Sequence, residues 1–186
     1  SLGEHATALE TYQRALKAMQ ALGNKAGEAR AQGNIGVVQD ALHHFPEAIE
    51  AYEQAKADLL AIDDEVGAAM ARANLGEVYQ HNLEYSRALE ELQGSVRTLM
   101  ARDAPPQQVA ALTMLARLHL EMKNWAAADS RAKAALSLLQ AKLLVGLDDA
   151  QGSAAREKHA VLFAISTYVA AREGRVADAL TAIESG

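Results

Sequence analysis

The stretch "ANLGEVYQHNLEYSRALEEL", Ala73 to Leu92, decides how this chain is read. Forty residues earlier the chain has "GNIGVVQDALHHFPEAIEAY", Gly33 to Tyr52, and forty later "TMLARLHLEMKNWAAADSRA", Thr113 to Ala132. Small residues recur at Gly36, Gly76 and Ala116, and again at Ala48, Ala88 and Ala128. Large apolar residues recur at Ile35, Leu75 and Leu115, and at Val38, Val78 and Leu118. An aromatic recurs at Phe45, Tyr85 and Trp125, and a further small residue at Ala55, Ser95 and Ala135. Self-similarity at a fixed period of this size is the mark of a repeat architecture.

Within each copy the apolar spacing predicts two helices. Ile35, Val38 and Leu42 share one face of the first; Ala48, Ile49, Tyr52 and Ala55 share one face of the second. Short polar breaks ("HHFP", "HNLEY", "KNW") separate them, and Pro46 suits the first turn of a helix, where its missing N–H costs little. A connection this short makes the pair antiparallel. Gly36 is then expected to face Ala48 where the two backbones come closest. The links between copies, "GNKAGEA", "DDEVGAA" and "DDAQGSA", place Asn or Asp shortly before a glycine. Such residues cap free N–H groups and suit the helix dipole. In the remaining link, "RDAPPQQ", Asp103 ahead of Pro105 and Pro106 reads as a helix start. None of these links reads as a phosphate loop, because no strand precedes them and no lysine stands where one is needed.

Composition narrows the function classes. Of 186 residues, 50% are hydrophobic and 4% aromatic, so a large but thin, alanine-rich core is expected. Cysteine is absent, which removes disulfides, thiolate metal sites and thiol nucleophiles. The formal charge of −6, with no basic stripe, argues against nucleic acid as the main partner. No apolar run reaches the roughly 18 residues that cross a bilayer, so neither a membrane partner nor any location but the cytoplasm is expected. No cofactor is expected either. His43 and His44 are adjacent and point to different sides, so they cannot chelate as an i, i+4 pair. His81 and His119 hold different places in their repeats. Asp63-Asp64 and Asp148-Asp149 fall in the punctuating links, where capping outweighs acid–base work. Tyr85 and Trp125 fall on the core-facing aromatic position. No motif joins a serine, a histidine and an acid, and the chain is read as non-enzymatic.

The array divides as residues 1–22, the second helix of a truncated repeat; 23–62, 63–102 and 103–147, with an extended second helix in the last; and 148–186, an incomplete repeat. In the last, "YVAAREGRVADALTAIE" places Val176 and Ala179 like Tyr85 and Ala88, fifty-one rather than forty residues after Ala128. With no polar capping helix at either end, a fragment of a longer polypeptide is expected.

These positions resemble the tetratricopeptide repeat. The small–large–small pattern at Ile35-Gly36, Val38, Ala48, Tyr52 and Ala55, and at 75–95 and 115–135, is similar to that family's signature. The period of forty resembles its longer-helix subclass, seen in kinesin light chains, Pins-like scaffolds and bacterial signalling proteins. The resemblance implies an all-α fold, an α-α superhelix of antiparallel helix pairs. The first helices would line a concave groove that binds a protein or peptide. Carried over, its groove positions are Arg30, Asn34, Val37 and Asp40; Met70, Asn74, Glu77 and His81; Ala110, Met114, Arg117 and Glu121; and Ile165, Tyr168 and Arg172. At two places the chain departs from the pattern: Ala132 replaces a large residue, and Asp129 falls where Ile49 and Leu89 sit, so looser packing is expected there.

Independently of the family, these residues lie on the helix face opposite the apolar one. An asparagine amide has two donors and an acceptor, so Asn34 and Asn74, one period apart, could clamp an extended peptide backbone. Methionines supply an adaptable wall. Against this, the asparagines could bond within the protein, and Arg30, Asp40, Glu77 and Arg117 could be a solvated face. Asp40, Glu77 and Glu121 disfavour acidic chaperone tails and favour a basic or mixed-charge segment. "REGRVADALTAIESG" also resembles the last repeat before a protease-like CHAT domain, and other repeat regions of this kind precede diguanylate cyclases or lie in MalT-like regulators. The expected role is a binding scaffold in a bacterial signalling or effector protein, with self-association through exposed repeat ends, or sensing for an output domain, as alternatives.

Overall fold

The computed structural model describes residues 2–145 and 149–175. Asp148, and the second-helix reading at Val176 and Ala179, lie outside the described residues. Every element among the described residues is helical. The chain forms two compact units, residues 1–98 and 99–186. The first holds α1 (Leu2–Ala21), α2 (Lys25–Ala41), α3 (Phe45–Leu60), α4 (Glu65–His81) and most of α5 (Tyr85–Ala101). The second begins with the last residues of α5. It continues through α6 (Pro105–Glu121), α7 (Trp125–Leu138), a π-helical turn (Leu139–Leu143), α8 (Asp149–Lys158) and α9 (Ala160–Arg172).

Helix starts at Lys25, Phe45, Glu65, Tyr85, Pro105 and Trp125 stand twenty residues apart, half the period visible in the sequence. The cause is a turn repeated at every link. Gly23, His43, Asp63, Leu83, Asp103 and Lys123 all have left-handed backbones, with φ between +44° and +62°. The N–H after each closes onto the carbonyl five residues back, as Glu84 does onto Tyr79 (2.8 Å) and Asn124 onto His119 (2.8 Å). This is the Schellman ending, which satisfies carbonyls the helix leaves free. The donating residue then serves the next helix. Asn24 and Asp64 accept from the N–H groups of Gly27 (2.9 Å) and Gly67 (2.8 Å) through their side chains, as the sequence led us to expect. Asp103 differs. It takes the left-handed turn position, and Ala104 is the N-cap. The residue before a proline is pushed from the helical region, and that places the boundary one residue later.

A left-handed backbone costs an ordinary L-residue about 1–2 kcal/mol. Leu83 bears this cost while 71% exposed, so little burial is at stake. Leu83→Gly is therefore expected to stabilise the protein by about 0.5–1 kcal/mol, after allowing for glycine's larger entropy in the unfolded chain. Urea unfolding of the two proteins checks this.

The core is thin and well filled. In the first unit Ala29, Ala55 and Ala71, one from each of α2, α3 and α4, meet in a buried cluster flanked by Leu59. Gly36 makes room for a different residue than the sequence suggested. A Cβ there would fall 2.7 Å from the ring of Tyr52 rather than against Ala48. At Gly76 it would fall 2.8 Å from Leu92 Cγ and 3.2 Å from the Ala88 carbonyl oxygen. Ser95 ties α5 to α4 by donating to the Ala69 carbonyl (2.6 Å).

In the second unit α7 packs against α6 and α9. The expected looseness around Asp129 is not seen: Ala128, Ala132 and Ala135 are fully buried. The Asp129 carboxylate is kept below the surface by Lys133 (2.8 Å) and Arg175 (3.2 Å), which offset its desolvation. His119 is also buried here, with Nδ1 lacking a hydrogen-bond partner. Burial, and secondarily the Arg131 charge, hold its pKa below the ordinary 6.5. The folded protein then refuses a proton that the unfolded chain accepts. Stability is full above about pH 6.5 and falls as pH drops toward the folded value. His119→Gln, with the residue found at Gln39, is expected to remove this component. Its stability relative to the parent should rise between pH 7 and 5, as read by denaturant titration at each pH.

Candidate functional site

The first helix of each pair presents two faces. On α2 the buried side is Ala31, Ile35, Gly36 and Val38, and on α4 it is Ala71, Leu75, Gly76 and Val78. The other side carries the residues singled out from the sequence. On α2 Arg30 and Val37 are exposed, and Asn34 and Asp40 half-buried. On α4 Met70, Asn74 and Glu77 are half-buried and His81 exposed. Neither Asn34 nor Asn74 uses its side-chain amide: among the described residues neither has a hydrogen-bond partner. The packing interactions that could have accounted for two mid-helix asparagines are therefore not made.

Two of the predicted residues are joined directly. His81 Nδ1 lies 2.9 Å from both carboxylate oxygens of Asp40, bridging α2 and α4. Beneath them is Tyr52 of α3. Burial, then the charges of Asp40 and Glu77, push its hydroxyl pKa far above the usual tyrosine value. Asp40, Glu77, His81 and the Tyr52 ring thus share one neighbourhood, and Tyr52 stays a neutral packing residue at any physiological pH.

In the second unit Met114 is half-buried and Arg117 and Glu121 are exposed on α6. On α9 the carried-over positions divide. Tyr168 is 50% exposed and Arg172 is exposed, but Ile165 is buried at 3%. Ile165 is therefore a core residue, a correction to its expected place. Its branched apolar side chain occupies the contact of α9 with α6 and α7.

Trp125 also differs from expectation. It is not sealed in the core but half-buried at the start of α7, its ring 5.9 Å from that of Tyr168 at an interplanar angle of 58°. Arg172 Cζ lies 4.5 Å from the Trp125 centroid. The sequence spacing placed Trp125 with Phe45 and Tyr85 but gave no sign of this contact, because the fifth repeat is displaced by the longer fourth.

A concavity in the first unit, about 320 Å³, is lined by residues that include Lys56, Leu60, Ala68, Ala69, Arg72 and Glu91. Arg72 Nε and Glu91 form an ion pair of 2.6 Å there. Gly94 leaves the space that the Arg72 guanidinium fills. Lys56 is paired with Glu53 and Arg72 with Glu91, and among the described residues no unpartnered buried polar atom lines it. Among the described residues no three His, Asp or Glu side chains are grouped so as to hold a metal ion. Nor is any of their helices long and apolar enough to cross a membrane.

Comparison with known proteins supports the same architecture. No curated protein matches the sequence. Residues 1–59 match the tetratricopeptide repeat family model. Among solved structures, BtubC (BKLC) from P. vanneervenii aligns with a TM-score of 0.78 at 18% identity, over 98% of this chain and 71% of that one. RapI in its apo form aligns with a TM-score of 0.78 at 16% identity, over 99% of this chain and 48% of that one, so this chain spans about half of RapI. A chain described as a kinesin light chain of Podosopora anserina, with nearly identical TPR-like repeats, aligns with a TM-score of 0.68 at 17% identity, over 98% of this chain and 85% of that one. Residues 1–59 thus match the tetratricopeptide repeat family, and nearly the whole chain shares its fold with these helical-repeat structures.

Proposed function

We propose that this chain is a non-catalytic binding module that takes an extended peptide segment of another protein on the exposed faces of its first helices. The observation that carries this reading is the pair Asn34 and Asn74. They stand at equivalent places on α2 and α4, half-exposed, with amides that no group among the described residues satisfies. Polar amides held on rigid helices with unused donors and acceptors suit the alternating N–H and C=O groups of a peptide backbone. Val37, 55% exposed, and Met70 supply apolar contact beside them. Association would shift an existing equilibrium among conformations of the array and perform no chemistry. The wider setting we propose is a larger bacterial signalling or effector protein of the cytoplasm. In it the array recruits a partner or regulates an attached output domain of the CHAT, diguanylate cyclase or transcription-regulator kind. Self-association through repeat ends is the second reading. It expects a molecular mass that rises with protein concentration in light scattering, where the first expects a constant mass.

Peptides selected from a random library on the parent protein test the first reading. Asn34→Ala combined with Asn74→Ala touches no buried hydrogen bond and should leave the melting curve nearly unchanged. Binding of the selected peptides should weaken at least about tenfold, roughly what two lost hydrogen bonds amount to. Equal affinity for parent and double variant would remove the asparagine pair from the binding surface.

A further inference from the structure

The sequence offers Asp40 and His81 as two separate ligand contacts. The structure gives them to each other. His81 Nδ1 stands 2.9 Å from Asp40 Oδ1 and 2.9 Å from Asp40 Oδ2. A carboxylate only accepts, so the bond requires the hydrogen on Nδ1. The Asp40 side chain is 18% exposed and that of His81 40%. A carboxylate whose two oxygens already share one donor has less to give a cation of a ligand.

The bond lies where the two helices have least else to hold them. α2 and α4 both pack extensively on α3 and touch each other only sparingly. Against α3 their seating is close. Gly36 of α2 admits the Tyr52 ring, and Ala29, Ala55 and Ala71 meet in one buried cluster. On the face that carries Asn34 and Asn74, the Asp40–His81 bond joins α2 to α4 directly. Asp40 is six residues beyond Asn34, and His81 seven beyond Asn74. At about 1.5 Å of rise per residue, the bond stands roughly 9–11 Å along the axes from the two amides. Each helix is a continuous rod of 17 residues, so a tie near one end limits how far the rods can splay at the asparagines.

We infer, resting on the peptide-binding reading above, that Asp40 and His81 are positioning residues: their bond sets the spacing of α2 and α4, and with it the distance between the Asn34 and Asn74 amides. Two amides engage one extended peptide only at a separation that suits its backbone, which advances about 3.3 Å per residue. A hydrogen bond tolerates only about 0.5 Å of that, so a small splay takes one amide out of reach. Spacing fixed in advance reduces the ordering that binding must otherwise supply. Asp40 then acts through the asparagines. It no longer counts toward the basic or mixed-charge ligand that Asp40, Glu77 and Glu121 suggested from the sequence.

Peptides selected on the parent chain are titrated by fluorescence polarisation against Asp40→Ala, His81→Ala, the double variant, and the exchanged pair Asp40→His with His81→Asp. Circular dichroism follows the melting of each, which should stay close to the parent's, because a partly exposed pair adds little to stability. Each single variant should bind about fivefold more weakly. The double variant should bind no more weakly than either single, since the same bond is lost in all three. Two independent ligand contacts would multiply instead, to about twenty-fivefold, and that result overturns the positioning role. The exchanged pair remakes the bond with the carboxylate on α4 and should recover the parent's affinity, which a direct contact of Asp40 with the ligand would not allow. Should the exchange fail to recover it, the cycle of single and double variants decides. If the single variants bind as the parent does, while Asn34→Ala with Asn74→Ala still weakens binding, the positioning role falls and the peptide-binding reading stands. If selection yields no peptide at all, the reading itself falls, and the positioning role with it.

Discussion

Leu92→Ala is expected to cost about 2–5 kcal/mol, the largest single loss anticipated for this chain. Leu92 is fully buried, and its Cγ stands over Gly76, where a Cβ would come within 2.8 Å. Truncation removes the transfer free energy of the isobutyl group and leaves a void that α4 and α5 cannot easily close. Ser95, one turn farther along α5, is bonded to the Ala69 carbonyl and holds the two helices at their present distance. The cavity term should therefore be retained nearly in full. Equilibrium urea unfolding gives the value. A loss under about 1 kcal/mol would mean that the two helices collapse onto one another, contrary to the account of the small residue beneath.

Gly76→Val carries the second large effect, with a sign that local preference does not supply. In an open helix, replacing glycine recovers about 0.5–1 kcal/mol. Gly33, in the middle of α2, is such a place, because a Cβ there meets nothing within 4 Å. At Gly76 the added atoms meet Leu92 Cγ and, at 3.2 Å, the Ala88 carbonyl oxygen. A side chain can rotate away, but a carbonyl within α5 moves only with its helix. The overpacking should cost about 1–3 kcal/mol even after the gain in helix preference. The same substitution on the Leu92→Ala background should cost measurably less, since half of the obstruction is gone. A double-mutant cycle reads that coupling. Independent effects at the two sites would contradict the nesting of α4 against α5.

Most of the fold was legible because packing at short helix–helix distance constrains residue size. Gly36, Gly76, Ala48 and Ala88 announced it by recurring at fixed places, and Asn24 and Asp64 announced the helix starts. What was not legible has physical reasons too. The twenty-residue rhythm of the links is set by left-handed turn residues. Only one of those six positions is glycine; His43, Leu83 and Lys123 give no hint of their conformation. The partner of Gly36 is Tyr52 because a long ring reaches the gap that a neighbouring methyl leaves.

On the surface, the carried-over positions are exposed or half-buried except Ile165. The sequence could not tell a half-exposed residue from a buried one where α9 follows an insertion. Trp125 and Tyr85 were both read as core-facing and both are half-buried, and the contact of Trp125 with Tyr168 and Arg172 depends on that same displaced helix. The Asp40–His81 bridge joins residues forty-one apart, one more than the period, so no comparison of equivalent positions would pair them.

The side-chain amide resonances of Asn34 and Asn74 in a ¹H–¹⁵N correlation spectrum test the central claim most directly. As a selected peptide is added to the parent protein, both pairs of signals should shift and saturate together, with an affinity matching that from polarisation. If they stay fixed while resonances from α3, α5 or the turns move, the peptide binds elsewhere, and the first-helix face is not the working surface of this array.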